Sequence, residues 1–272
     1  MEKRKNHPDQ KPSQLRRILS TTIATLAIAQ ATLSCNPWPN QGTSETTTLA
    51  APEPEKSYKS RYLNLLSWNI HRGRNTLGIH NIEGTIAKLG EQKFDIGCLQ
   101  EVTEQDSLKI VRSLGKYVGL FTPTYRSALD TSYAEGNMLL ISTSLTGADK
   151  IQHDSYKLPE RRRDVGLARV SEFLPRSLMI AEIGDIAAFN THLEAKDVEL
   201  RGIQADFAGD RLEPYFKSGQ TVIGCADTNS RDRMSAAVNL LVPPAGVAMS
   251  FQPTSNANGI DWLFATPNVI FK

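Results

Sequence analysis

Short apolar runs that break off at a polar residue fill the chain from Tyr62 to Trp262, and they leave few folds open. Tyr62–Ile70 closes on Trp68-Asn69, and Phe94–Leu99 closes on Gln100-Glu101. Between them, Asn81–Glu91 spaces Ile82, Ile86 and Leu89 at helical intervals, so the folded part opens strand, helix, strand. Met138–Ser142, Gly166–Phe173, Ser177–Ile183, Ala187–Asn190 and Thr221–Gly224 read as further strands, with a tight turn at Gly184-Asp185. Val198–Pro214 reads as a helix with Leu200, Ile203, Phe207 and Leu212 on one side. Strands mixed with helices in this way predict an α/β layered fold.

At 40% hydrophobic and 22% charged, the 272 residues exclude collagen-like, coiled-coil and wholly disordered chains. Three cysteines are too few for a disulfide scaffold, and no CxxC or Cys/His cluster suggests zinc. Cys98 and Cys225 sit in apolar runs and read as small buried core residues. The basic start through Arg16-Arg17 and the apolar stretch Ile18–Leu33 have the layout of a secretory signal. That stretch is shorter than the roughly 20 residues a membrane span needs. Thr32-Leu33-Ser34-Cys35 is similar to a bacterial lipoprotein processing site, which leaves two readings: a lipid anchor at Cys35, or a plain cleaved signal peptide. Residues 36–60, rich in Pro, Thr, Ser, Glu and Gln, read as a flexible linker, so the expected organisation is leader 1–35, linker 36–60 and folded domain 61–272. Of the 31 Lys/Arg and 29 Asp/Glu, six and two fall in the leader, which leaves 25 against 27. A domain so close to neutral has no global field for nucleic acid, and any phosphate chemistry must rest on a local site.

Asn69, Gln100-Glu101, Asn190-Thr191-His192, Asp227-Thr228-Asn229 and Ile260-Asp261-Trp262 lie at or beside the ends of separate apolar runs. Singly, each fits turn chemistry or a structural hydrogen bond. Together they have the placement of catalytic groups held by a packed sheet. In this order the segments resemble the endonuclease/exonuclease/phosphatase family over about residues 62–271. Leu66-Ser67-Trp68-Asn69-Ile70-His71 is similar to its first motif and Leu99-Gln100-Glu101-Val102 to its second. Asn190-Thr191-His192-Leu193, Ala226-Asp227-Thr228-Asn229 and Ile260-Asp261-Trp262-Leu263-Phe264 are similar to the later ones. Glu194, Arg201 and Gln204 resemble a common continuation of the His192 segment.

The resemblance implies a deoxyribonuclease-I-like sandwich of two mixed β-sheets flanked by helices. Glu101 and Asn69 would then be metal ligands, and His192, Asp227, Asn229 and Asp261 catalytic residues. Asn137, in Gly136-Asn137-Met138-Leu139-Leu140, and Arg163, at the head of the strand through Val170, would bind phosphate. The chemistry is intelligible independently: phosphate-ester cleavage needs a cation, a group to polarise water, and donors for the developing charge. Mg²⁺ or Mn²⁺ suits Glu101 with the amide oxygen of Asn69, with several waters retained. Asp227 would polarise the water, and a protonated His192 would hold the phosphate beside Asn229. The family's closing Ser-Asp-His segment has no counterpart before Lys272, so the last strand is expected to be missing and the domain C-terminally incomplete.

The expected function is an exported, metal-dependent hydrolase of phosphodiester or phosphomonoester bonds. It would be periplasmic, outer-membrane-tethered or extracellular, and a monomer. Nucleic acid, phospholipid headgroups and small phosphoesters all stand as substrates. The alternative is a truncated or degenerate non-catalytic member that keeps the fold as a binding or surface protein.

Overall fold

The computed structural model describes residues 47–49, 63–126, 133–145, 150–165, 168–171, 173–230, 250–253 and 261–266. The leader, including Cys35, lies outside them. The strands are β1 Thr47–Leu49, β2 Leu65–Asn69, β3 Ile96–Thr103, β4 Tyr117–Arg126, β5 Ala134–Ser142, β6 Ile151–Lys157, β7 Arg162–Val165, β8 Ala168–Ser171, β9 Ser177–Ile183, β10 Ile186–His192, β11 Thr221–Asp227, β12 Ser250–Pro253 and β13 Asp261–Ala265. The helices are α1 Ile82–Glu91, α2 Glu104–Leu114 and α3 Val198–Lys217.

One sheet runs β1-β4-β5-β3-β2 and the other β12-β13-β11-β10-β9-β6, while β7 and β8 pair apart from both. Each large sheet contains one parallel pair, β2 with β3 and β10 with β11; its other pairs are antiparallel. A parallel pair needs a crossover, and α1 and α3 supply it, so each sheet holds one strand–helix–strand unit. Asn81 and Asp197 cap these helices, accepting from the backbone N–H of Gly84 and Leu200.

Three apolar layers follow from the alternation of side chains along the strands. Between the sheets lie Ile96, Cys98, Leu120 and Leu139 from one and Met179, Ala181, Ile223 and Cys225 from the other. Leu99, Val102, Phe121 and Met138 face outward with Ile82, Leu89 and Ile110 of α1 and α2, and Phe189, Val222 and Phe264 pack with Ala205, Ala208 and Leu212 of α3. The result is a sandwich of two mixed sheets between helices, as the resemblance implied. Gly224 is required by this packing, since a Cβ there would fall 2.3 Å from the Phe189 ring.

Several expectations change. Cys98 and Cys225 are fully buried but joined by a disulfide, because the inward faces of β3 and β11 bring their Cα atoms to 6.0 Å. The strand expected over Gly166–Phe173 is instead the hairpin of β7 and β8, with Gly166 and Leu167 outside the described residues. Ile203 is 48% exposed, since α3 turns Leu200, Gln204, Ala208 and Leu212 inward. Thr47–Leu49, within the stretch read as linker, pairs with Gly119–Phe121 on β4. A run of threonines and one leucine suits a short edge strand.

The disulfide ties residues 127 apart in sequence across the two sheets. The Cys98→Ala/Cys225→Ala variant is therefore expected to lose about 2–5 kcal/mol of stability in urea unfolding followed by circular dichroism. Equal midpoints for the variant and the oxidised parent would contradict this.

Candidate active site

Both parallel pairs present their carboxyl ends to one edge of the sandwich. Asn69 stands opposite Gln100 in the first pair, and His192 opposite Asp227 in the second. Across the gap, Asn69 Nδ2 donates to Glu101 Oε1 and to Asp227 Oδ2, each at 3.1 Å, although Asp227 lies 158 residues away. The amide oxygen of Asn69 accepts the His71 backbone N–H at 3.0 Å. The reverse orientation would set an oxygen against two carboxylates and an NH₂ against an N–H.

Backbone strain collects at the same place. His71, Arg72, Glu101 and Asn229 have φ of 49°, 60°, 53° and 50°, and among the described residues they are the only non-glycines in this region. Glu101 sits in a β-bulge: β3 and β5 pair at Leu99↔Met138 and next at Val102↔Gly136, so Gln100 and Glu101 oppose Asn137 alone. The extra residue restores Val102 to the outward core beside Leu99 and sets Glu101 in the bulge two residues before the strand ends.

Asp227 is 1% exposed. Its Oδ1 accepts from Asn229 N at 3.1 Å, and Asn229 Nδ2 donates to Leu193 O at 2.9 Å, which fastens the turn after β11 to the segment after β10. Burial pushes the Asp227 carboxyl above its ordinary value, against the opposing effect of the Asn69 and Asn229 hydrogen bonds. Arg201 donates to Glu194 O and Ala195 O, and Gln204 Oε1 accepts from Glu194 N. Those two helical residues thus brace the loop behind His192.

His192 differs from its expected charge state. Arg176 Nη1 lies 3.0 Å from His192 Nδ1, and since a guanidinium only donates, Nδ1 must accept. The ring proton is then on Nε2, 3.5 Å from Asp227 Oδ2. Burial, then the Arg176 charge and His71, hold the imidazole well below its ordinary pKa, so it is neutral rather than protonated. Arg176 was not singled out in the sequence because it precedes β9 outside any recognised motif. Its pairing with the His192 strand is what brings it in: Ser177 opens β9, and Leu178 pairs with Thr191 on β10. Burial lowers its pKa, while Glu194, Glu101, Asp227 and Glu135 act in the opposite direction.

The remaining predicted residues stand differently. Arg163 is on β7, opposite Val170 in the small hairpin, and its side chain lies outside what is described. Asn137 is 1% exposed, and its amide hydrogens go to Ser177 O and Oγ at 3.1 and 3.3 Å. Asp261 opens β13 in register with Asp227; its side chain is likewise outside the description.

Among the described residues no three His, Cys, Asp or Glu side chains form a group able to hold a metal ion. Two carboxylates within reach of one amide nitrogen nevertheless suit a hard divalent ion that completes its shell with water and substrate oxygen. The donor set fits such an ion. It would require the Asn69 amide to turn, because its oxygen now faces His71.

No protein-family profile matches the chain, and no curated protein does. Solved structures do. The mannosyl-6-phosphatase of Bacteroides thetaiotaomicron VPI-5482 superposes with a TM-score of 0.53 at 16% identity, over 75% of this chain and 85% of that one. An endonuclease/exonuclease/phosphatase from Bacteroides vulgatus gives 0.55 at 16% identity, over 75% and 87%. The human Nocturnin catalytic domain, with bound sulfate, gives 0.52 at 15% identity, over 82% and 86%.

A histidine buried neutral makes stability depend on pH with a known sign. The unfolded chain takes up its proton near pH 6.5, while His192 in the fold does so only well below that, so stability is full above this value and declines as pH falls through it. Thermal melts between pH 7.5 and about 5 should show a smaller drop in His192→Gln than in the parent; equal slopes would refute the neutral assignment. The architecture and the neighbours together give the chain the fold of the endonuclease/exonuclease/phosphatase proteins.

Proposed function

We propose that the chain is an exported phosphoesterase, dependent on Mg²⁺ or Mn²⁺, that cleaves phosphodiester or phosphomonoester bonds. The observation that carries this reading is the Asn69 amide held between Glu101 and Asp227, with His192 and Arg176 beside them. Three strand ends and the Arg176 guanidinium bring these groups together at one edge of the sandwich.

When bound, a divalent ion would supply charge neutralisation for the nonbridging phosphate oxygens, and Glu101 with Asn69 would hold it. Asp227, whose carboxyl burial makes more basic than an ordinary aspartate, orients the attacking water and accepts its proton. Asn229, fixed by its bonds to Leu193 and Asp227, and His192, through its Nε2–H, donate to the phosphate. Arg176 keeps His192 in that tautomer and offers further N–H donors. Positioning and electrostatics do most of the work.

Export is supported by the basic-apolar leader and by the Cys98–Cys225 disulfide, which belongs in an oxidising compartment. In this reading residues 1–35 are the signal, which carries a lipid anchor at Cys35 or is cleaved off, and 36–60, of which Thr47–Leu49 pairs with β4, join it to the catalytic domain of 61–272, which acts as a monomer. The one neighbour named a mannosyl-6-phosphatase and the near-neutral charge favour a small phosphoester over a nucleic-acid track.

Turnover of bis(p-nitrophenyl) phosphate and p-nitrophenyl phosphate with Mg²⁺ tests this. Glu101→Ala and Asp227→Ala should each lower kcat/KM by about 10²–10³-fold or more, and chelation should abolish activity. Turnover that survives both substitutions would remove these residues from the mechanism. Phosphate binding without turnover in the parent would instead favour the non-catalytic alternative.

A further inference from the structure

The bulge that carries Glu101 is completed by the opposite sheet. Where the β3–β5 ladder is interrupted, between Leu99↔Met138 and Val102↔Gly136, the carbonyls of the buried Leu99 and Met138 take side-chain donors. Asn190, fully buried on β10, gives them both: its Nδ2 donates to Leu99 O and to Met138 O, each at 2.9 Å. Its Oδ1 accepts from Gln100 Nε2 at 2.8 Å, so each polar atom of the amide is spent on the two strands around the bulge. Gln100 immediately precedes Glu101, and Asn190 stands two residues before His192.

We propose that Asn190 is a positioning residue: reaching across from the second sheet, it closes the β3 bulge and so sets where the Glu101 carboxylate stands relative to Asp227 and His192. An apolar residue would fill the same space but take both donations away, and the strand would then gain by expelling the extra residue. Expelling it would reverse the side-chain alternation beyond Leu99 and turn Glu101 away from the edge. Asn190 thereby links the strained φ of Glu101 to the placement of β10, and one amide sets the relation between the two halves of the site. Only the last step, from the place of Glu101 to metal binding, rests on the phosphoesterase reading.

The test compares Asn190→Ala with Thr191→Val, which removes a buried hydrogen bond to Ser177 O without touching the bulge. Hydrogen exchange of the amides of residues 99–103 should be several-fold faster in Asn190→Ala and unchanged in Thr191→Val, even where the two melt alike. Mn²⁺ affinity, followed by electron paramagnetic resonance, should weaken about 10–100-fold in the first alone. If Asn190→Ala does not fold, Asn190→Ser, which keeps one donor for two carbonyls, takes its place with the same expected directions. Exchange at 99–103 equal to the parent, or raised equally by Thr191→Val, overturns the proposal; faster exchange with unaltered Mn²⁺ affinity overturns the link from bulge to carboxylate. A parent that binds no Mn²⁺ sinks the phosphoesterase reading, while the exchange comparison still decides the role of Asn190.

Discussion

The alignment of two parallel strand pairs, one in each sheet, governs everything at this edge of the molecule. Asn69 and Glu101 come from one pair, His192 and Asp227 from the other, and no backbone hydrogen bond of either sheet crosses between them. Apolar packing between the sheets is non-directional and tolerates sliding. What fixes the relative position is a short list of directional links: the Cys98–Cys225 bond, the Asn190 amide on Leu99, Met138 and Gln100, and the Asn137 amide on Ser177. Each lies on the inward faces, within a few residues of the site it aligns.

That alignment lets the fold hold an edge that is locally unfavourable. Four non-glycine residues in the left-handed region cost about 1–3 kcal/mol apiece, and they cluster on the 3-10 turn after β2, the bulge of β3 and the turn after β11. Buried leucine, isoleucine and phenylalanine side chains contribute about 1.5–3 kcal/mol each, and the three apolar layers hold many of them. The strain is local and its compensation is spread through the sandwich, so the groups at the edge stay fixed without stabilising themselves.

The parts legible in the sequence are those written as local pattern. Asn69, Glu101, His192, Asp227 and Asn229 end apolar runs; Asn69, His192 and Asp227 close their strands, Asn229 follows β11 by two residues, and Glu101 sits in the bulge two residues before β3 ends. Arg201 and Gln204, three positions apart on α3, stood in the sequence only as a continuation of the His192 segment, and the fold turns both onto the loop after it. The illegible parts depend on contacts between distant strands. Nothing near Cys98 announces Cys225, and no motif marks the isolated Arg176 that touches the histidine. The bulge escaped because alternation in Leu99-Gln100-Glu101-Val102 is ambiguous over so short a span. Likewise β4 and β6 mix polar and apolar residues without clean alternation, and only their neighbours define them.

The electrostatic balance of the edge also argues for the kind of ligand it accepts. Arg176 is surrounded by Glu101, Asp227, Glu135 and Glu194, and the nearby Arg72 is already paired with Glu135 at 2.6 Å. His192 adds no charge, because Arg176 and burial keep it neutral. Carboxylates therefore outnumber guanidinium groups, and a bare phosphate dianion approaching Glu101 and Asp227 would meet repulsion at short range in a medium that screens it poorly. A divalent cation reverses this sign at the point where the two carboxylates already converge on one amide. In the proposed phosphoesterase, the same excess of negative charge that holds the Asn69 NH₂ in place would make anion binding conditional on a cation, with Arg176 and His192 contributing direction once the charge has been met.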